Sequence, residues 1–138
     1  MAKALRQYII RKLREPTEKK TDKDIEWICD SFGFINSRDK DKTAFKILQA
    51  LINSAKDGKG LTSEEITRRV KPTIGSVIYH LKKLARAGLA VKLGSIYELR
   101  MKSLLSTVNE IEREINMVIG DIKKIAGETD SRIGLKNR

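Results

Sequence analysis

The chain has 138 residues, few of them aromatic (5%), and a formal net charge of +11. This length fits one domain with helical extensions, and the single cysteine, Cys29, excludes an internal disulfide. The apolar runs are too short for a membrane span or the core of a signal peptide, so we expect a cytoplasmic protein. The basic excess favours a polyanionic partner, with nucleic acid ahead of an anionic membrane surface.

Positive charge is concentrated in two blocks. Residues 1–20 hold seven Lys or Arg against two acidic residues, and residues 61–100 hold eight against three. Residues 21–60 and 101–126 each have as many acidic as basic residues. Such clustering is expected where positive charge serves a binding face.

Residues 1–36 are predicted to form an N-terminal helical extension. Apolar residues at helical spacing predict a first helix over 3–14, which Pro16 ends. A second helix is expected over 22–32, with Thr21 as its N-cap and Gly33 as its stop. Its apolar face includes Cys29, which we expect to be a buried residue rather than a reactive thiol.

Residues 37–100 have the signals of a compact helical unit. An amphipathic helix is predicted from Thr43 to Ala55, followed by a loop at residues 57–60. Thr62 and Glu65 then have the spacing of a capping box, which predicts a helix over 63–70.

A second helix of this unit is predicted over residues 73–87, after a break at Pro72. Thr73 can cap it, and Gly88 suits the left-handed position that ends a helix. Its inward face is expected to contain the apolar residues spaced three, four and three apart, namely Ile74, Val77, Leu81 and Leu84.

Two short extended runs, 89–92 and 96–99, follow this helix and flank Gly94-Ser95, a pair that suits a two-residue hairpin turn. Two helices and a hairpin in this order predict a mostly α, α+β winged helix-turn-helix domain, in which the second helix enters the major groove of DNA. We therefore expect double-stranded DNA as the partner.

The predicted DNA contacts follow from the position of each residue on this domain. Residues near the start of a recognition helix reach base edges, and later basic residues meet phosphates. The base-facing candidates are Thr73, Gly75, Ser76 and Tyr79. The phosphate candidates are Arg68, Arg69, Lys82, Lys83 and Arg86. The wing candidates, which would touch the backbone or minor groove, are Lys92, Gly94 and Ser95. The alternative interpretation is a solvated helix face, with Tyr79 packed on a neighbour.

Residues 76–89, SVIYHLKKLARAGL, resemble the VSxHLKxLxxAGLV signature of ArsR- and MarR-like winged-helix transcription regulators, archaeal members in particular. The resemblance extends over residues 43–100, and the flanks are more loosely similar to the helical dimerisation arms of those families. Metal-sensing members have a cysteine pair near the recognition region, which this chain lacks, so no metal site is expected. Ile78 stands where many members have a small polar residue, so the resemblance does not extend a base contact to this position.

A heptad seam begins directly after the hairpin and predicts a coiled-coil dimerisation helix over residues 101–127, followed by a flexible tail at 128–138. From Met101 the apolar residues follow one another at steps of three and four. The dimerisation residues predicted from it are Leu104, Val108, Ile111, Ile115, Val118, Ile122 and Ile125. A second copy of the chain is the simplest partner, and the alternative is that the seam docks on the chain's own N-terminal helices.

The acidic residues beside the seam have no basic residues on the same helix positioned to pair with them. We expect the basic N-terminal helix to pack alongside and to meet Glu112 and Glu114. The basic residues concerned are Arg6, Arg11, Lys12 and Arg14.

No constellation of residues in the sequence predicts catalysis. One His and one Cys cannot make a zinc site, and residues 56–60 lack the spacing of a phosphate-binding loop. We expect no enzyme activity and no cofactor. The leading interpretation is a dimeric, sequence-specific transcription regulator, a repressor reading a palindromic site. The alternatives are an adaptor whose heptad helix binds another protein, and an architectural protein that binds nucleic acid by charge alone.

Overall fold

A computed structural model describes residues 6–34, 41–71 and 73–136; residues 1–5, 35–40, 72, 137 and 138 lie outside the described part. Short helices surround a small sheet, and a long helix follows them. In chain order the elements are α1 (Thr21–Cys29), α2 (Thr43–Ala55), β1 (Leu61–Thr62), α3 (Ser63–Val70), α4 (Ile74–Arg86), β2 (Ala90–Leu93), β3 (Ile96–Leu99) and α5 (Leu104–Ile133). This is the winged helix-turn-helix α+β fold predicted from the sequence.

The sheet has the order β1-β3-β2, and both pairings are antiparallel. The hairpin of β2 and β3 turns at Gly94-Ser95 as predicted, although β2 begins one residue later than expected. Strand β1 was not predicted, because a two-residue strand has no periodicity of its own. Its pairing of Leu61 with Tyr97 joins the start of α3 to the wing.

The core lies between α2, α3, α4 and the sheet. The side chains of Val77, Leu81 and Leu84 on α4 are completely buried, as predicted. The prediction for Ile74 is wrong: this side chain is 45% exposed. Ile74 is the first residue of α4, and a helical side chain tilts toward the N-terminus of its helix, so it extends past the turn that the core covers.

The start of α3 is the predicted capping box. The Thr62 hydroxyl accepts a hydrogen bond from the Glu65 N–H at 3.2 Å, and the Glu65 carboxylate accepts one from the Thr62 N–H at 3.1 Å. The bond from the Thr62 N–H, followed by that from its hydroxyl, lowers the pKa of Glu65 below its ordinary value.

This lowered pKa predicts a pH-dependent stability. A carboxyl whose pKa is lowered by folding stabilises the native state above its unfolded pKa, and this contribution is lost as the pH falls through the folded pKa. We expect Glu65→Gln to be less stable than wild type at neutral pH, with the gap closing between about pH 5 and pH 3. Urea unfolding at several pH values measures this gap. Glu64→Gln is the control, because it leaves the capping box intact, and a gap for Glu65→Gln that does not change with pH would contradict the assignment.

Helix α5 is longer than predicted, and most of its residues are exposed. Ile111 is buried in the core, and Ile115 packs against it. Farther along the same seam, Val118, Ile122 and Ile125 are each at least 50% exposed. The helix continues to Ile133, so the predicted tail is helical over most of its length.

The N-terminal segment is not the predicted helix over 3–14. Residues 6–14 are irregular, and residues 3–5 lie outside the described part. The Gln7 N–H donates to the Arg86 carbonyl at 3.1 Å, and the Arg11 N–H donates to the Ser31 carbonyl at 2.8 Å. These bonds and the packing of Tyr8 on the core stabilise the irregular segment, whereas a short isolated helix is only marginally stable.

Helix α1 lies close to its predicted position. Lys20, rather than Thr21, is its N-cap residue. The helix is followed by a kinked turn, Asp30–Phe34, in which Gly33 has a left-handed backbone (φ +91°). Cys29 is 1% exposed, which confirms the prediction of a buried residue.

Among the described residues, no helix has both the length and the apolar character needed to cross a membrane.

Candidate nucleic-acid interface

One side of α4 faces the core, and the opposite side carries the predicted DNA-contacting residues. Its N-cap is formed as predicted, because the Thr73 hydroxyl accepts a hydrogen bond from the Ser76 N–H at 3.2 Å. Thr73, Gly75 and Tyr79 are exposed, while Ser76 is half-buried. The four base-facing candidates therefore lie at or near the surface of the first two turns.

Aromatic contacts orient Tyr79 on this surface. Its side chain is 52% exposed, and its ring makes an edge-to-face contact with the His80 ring at a centroid distance of 5.1 Å. The Lys83 ammonium lies 5.4 Å from the Tyr79 ring centroid and 5.8 Å from that of Phe34. Lys83 is thus half-buried between two rings, and its charge holds Tyr79 in place.

The phosphate candidates other than Lys83 are exposed. Arg68 and Arg69 lie in the last turn of α3, while Lys82 and Arg86 lie on α4. Within the described ranges, none of these four side chains is within ion-pair distance of a carboxylate. Their charge is therefore available to an external anion.

The wing adds a further cation and an apolar tip. Lys92 is exposed, and its ammonium lies 5.7 Å from the Tyr97 ring centroid. Gly94 and Ser95 are exposed at the turn, where Leu93 (57%) and Ile96 (38%) are also exposed. The sequence does not predict the exposure of these two apolar residues, because strand alternation alone does not show where the sheet extends past the core.

The link between α3 and α4 contains a further cation, Lys71, which the sequence does not single out as a candidate contact. Lys71 has a left-handed backbone (φ +65°) and an exposed side chain. Its N–H donates to the Thr67 carbonyl at 2.8 Å, which closes the last turn of α3. The left-handed conformation changes the chain direction between the two helices.

The C-terminal end of α4 is held by the N-terminal segment. The Arg6 guanidinium donates to the Ala85 carbonyl at 3.1 Å, and the Gln7 N–H donates to the carbonyl of Arg86. The C-terminal end of a helix exposes carbonyls that lack partners within the helix, and a cation there also interacts favourably with the helix dipole. The N-terminal segment therefore positions α4 as well as adding charge beside it.

Residues 41–92 match the family model of a helix-turn-helix domain. The matched residues begin just before α2 and end within β2, so they include both helices that carry the predicted contacts. No curated protein and no solved structure matches the chain. The helix-turn-helix match supports a DNA-binding regulator with DNA as its partner.

The described part of the chain contains no group of three or more His, Cys, Asp or Glu residues that could hold a metal ion. A separate cluster of half-buried ion pairs lies at the base of α5. There Arg100 contacts Glu114 and lies 3.8 Å from Glu110, while Arg6 lies 3.4 Å from Glu114. The expected contact of the N-terminal segment with α5 is thus made through Arg6 and Glu114, without a helix, and Glu112 has no ion pair with a described residue.

Proposed function

We propose that this protein is a dimeric, sequence-specific DNA-binding transcription regulator that acts as a repressor. The observation that carries the proposal is the exposed face of α4, where polar residues of the first turns adjoin cations that form no ion pair with any described carboxylate. We also propose that the protein is an ArsR- or MarR-like regulator of archaeal type, because residues 76–89 resemble the signature of that group.

Helix α4 would lie in the major groove, which is about 12 Å wide and admits one helix. Thr73, Gly75, Ser76 and Tyr79 would then face base edges. Basic residues of both helices would contact phosphates on either side of the groove. On α3 these are Arg68 and Arg69, and on α4 they are Lys82, Lys83 and Arg86. The wing, through Lys92, Gly94 and Ser95, would touch the adjacent backbone or minor groove.

Dimerisation would use the exposed half of the α5 seam. Val118, Ile122 and Ile125 continue the heptad pattern beyond the part of α5 that the chain's own core covers. Pairing with a second copy would bury this stripe and relate two α4 helices by a two-fold axis. Two recognition helices about 34 Å apart predict a palindromic site, and occupation of such a site in a promoter would block transcription.

Selection of bound sites from random duplex DNA, with the mass of the free protein measured in parallel, tests this proposal. A specific regulator should prefer its selected site by at least about 10³-fold. A protein that binds by charge alone should lose discrimination along with affinity as salt rises. An adaptor should bind DNA weakly and use the α5 seam for a different protein. Either of these last two results would contradict the proposal.

The division of roles on α4 predicts two kinds of mutational effect. Lys82→Ala should weaken binding to all sequences to a similar degree and reduce the salt slope by about 1, because a phosphate contact has no sequence information. Ser76→Ala or Tyr79→Ala should instead change the preferred bases, with losses of about 1–3 kcal/mol on the selected site. Competition binding against single-base variants of the site measures both.

Lys124→Ala is the control for these variants, because it removes an exposed cation from α5, away from the proposed interface. It should leave both affinity and preference unchanged. Equal losses on every sequence for Lys82→Ala, Ser76→Ala and Tyr79→Ala would show that the face of α4 in the groove is wrongly assigned.

A further inference from the structure

Gly75 occupies a helical position that nothing in the described molecule requires to be glycine. It is the second residue of α4, its φ is not in the left-handed region, and it is exposed. Apart from the adjacent residues and the backbone of α4 itself, no described heavy atom would lie within 4 Å of a Cβ added there. Glycine stabilises a helix less than alanine does, and no described contact within the protomer compensates for the absent side chain.

Ile74, beside it, is an apolar side chain that the fold leaves 45% exposed. It is the first residue of α4 and projects past the helix N-terminus. The preceding Thr73 hydroxyl is already used as an acceptor for the Ser76 N–H. The tip of α4 thus presents an apolar side chain next to bare backbone.

We propose that Ile74 and Gly75 together read a thymine in each half-site. Thymine is the one base that presents an apolar group, its C5-methyl, in the major groove. The bare backbone at Gly75 lets α4 approach the base pair closely enough for the Ile74 side chain to pack on that methyl. This inference rests on the proposed function, because it requires the start of α4 to face base edges.

Replacement of thymine by deoxyuridine tests the contact, because it removes the methyl group and keeps the base-pairing groups. In the selected site, each thymine is replaced in turn and the affinity of the full-length protein is measured. At one position in each half-site the replacement should cost wild type about fourfold, the value of one buried methyl group. Ile74→Ala should bind the thymine and deoxyuridine sites equally, whereas Ile10→Ala, which truncates another exposed isoleucine, should keep the difference.

Gly75→Ala tests the close approach separately. The variant should fold and gain about 2–4 °C in Tm, because alanine is the better helix former and its methyl meets no neighbour. Its affinity for the selected site should fall by about tenfold, the effect of one lost base contact. Gly127→Ala, at a second helical glycine with open space around it, should gain similar stability and keep full affinity.

The outcomes separate this inference from the function on which it rests. A specific site could be selected in which no replacement of thymine by deoxyuridine lowers the affinity in a way that depends on Ile74. The thymine contact would then be wrong, whereas the proposed function as a sequence-specific regulator would still hold. Full affinity of Gly75→Ala would overturn the close approach. If no sequence is preferred over random duplex, the proposed function and this inference both fail.

Discussion

Ile122→Asp is expected to convert the proposed dimer to a monomer and to weaken binding to the proposed palindromic site by at least about 100-fold, the usual advantage of two linked binding units over one. Ile122 is 57% exposed in the protomer and lies midway along the exposed stripe, between Val118 and Ile125. A carboxylate at this position would be desolvated in the dimer seam, and the two-fold axis would place the carboxylate of the second copy close to it. Binding to a single half-site should be unchanged, because α4 is not altered.

Sedimentation analysis of the free protein and titrations of full and half sites measure these effects. Asn116→Asp is the matched control: it adds the same charge to an exposed position of α5 that is off the seam. Its mass and affinity should equal those of wild type. If Ile122→Asp remains a dimer, the assignment of the dimer interface to the exposed stripe of α5 is wrong. If wild type is a monomer at micromolar concentration, the dimer and the palindromic site predicted from it are both wrong.

The part of the fold that the sequence predicts well depends on local chemistry. Helix α2 begins and ends at the predicted residues, Thr43 and Ala55, and α3 spans the predicted 63–70. The capping box of Thr62 and Glu65 marks the start of α3 through interactions three residues apart. The end of α4 is marked in the same way by Gly88, which has a φ of +87°. Such signals need no knowledge of the rest of the chain.

The part that the sequence does not predict depends on which surfaces meet. The heptad pattern identifies the apolar side of α5, but it does not show that the chain's own core covers Ile111 while Ile122 stays exposed. Likewise, residues 6–14 have helical spacing of apolar residues, yet distant carbonyls hold them in an irregular segment. Periodicity describes one element at a time, whereas these outcomes depend on tertiary contacts.

The candidate interface divides in the same way. The basic and polar side of α4 follows from helical spacing, because Val77, Leu81 and Leu84 fix the opposite side in the core. The placement of Lys83 between the rings of Tyr79 and Phe34 depends on the turn after α1, which is distant in sequence. Ile74 was assigned to the core from its spacing, although the core does not extend to the first turn.

Arg100→Met is expected to destabilise the protein by about 2–3 kcal/mol, the range for leaving a half-buried carboxylate without its main partner. The Arg100 side chain is only 10% exposed. Its guanidinium contacts the Glu114 carboxylate and lies 3.4 Å from the Tyr8 hydroxyl. Methionine would keep much of the aliphatic volume at this position, so the loss would report on the ion pair rather than on packing.

Urea unfolding measures this loss, and Arg113→Met is the control. Arg113 also pairs with a glutamate on α5, Glu110, but its side chain is 58% exposed, so its removal should destabilise the protein much less than Arg100→Met. Equal losses for the two variants would show that the position of Arg100 between β3 and α5 gives its ion pair no special weight.

A double-mutant cycle of Arg100→Met with Glu114→Gln shows whether the two residues stabilise the protein as a unit. The effects should be non-additive, with a coupling of about 1 kcal/mol or more, because they share one half-buried contact. Glu114 also pairs with Arg6, which donates to the Ala85 carbonyl near the end of α4. Loss of Arg100 would therefore weaken the contacts that fix the orientation of α5 relative to α4, and with it the orientation of any second copy bound to α5.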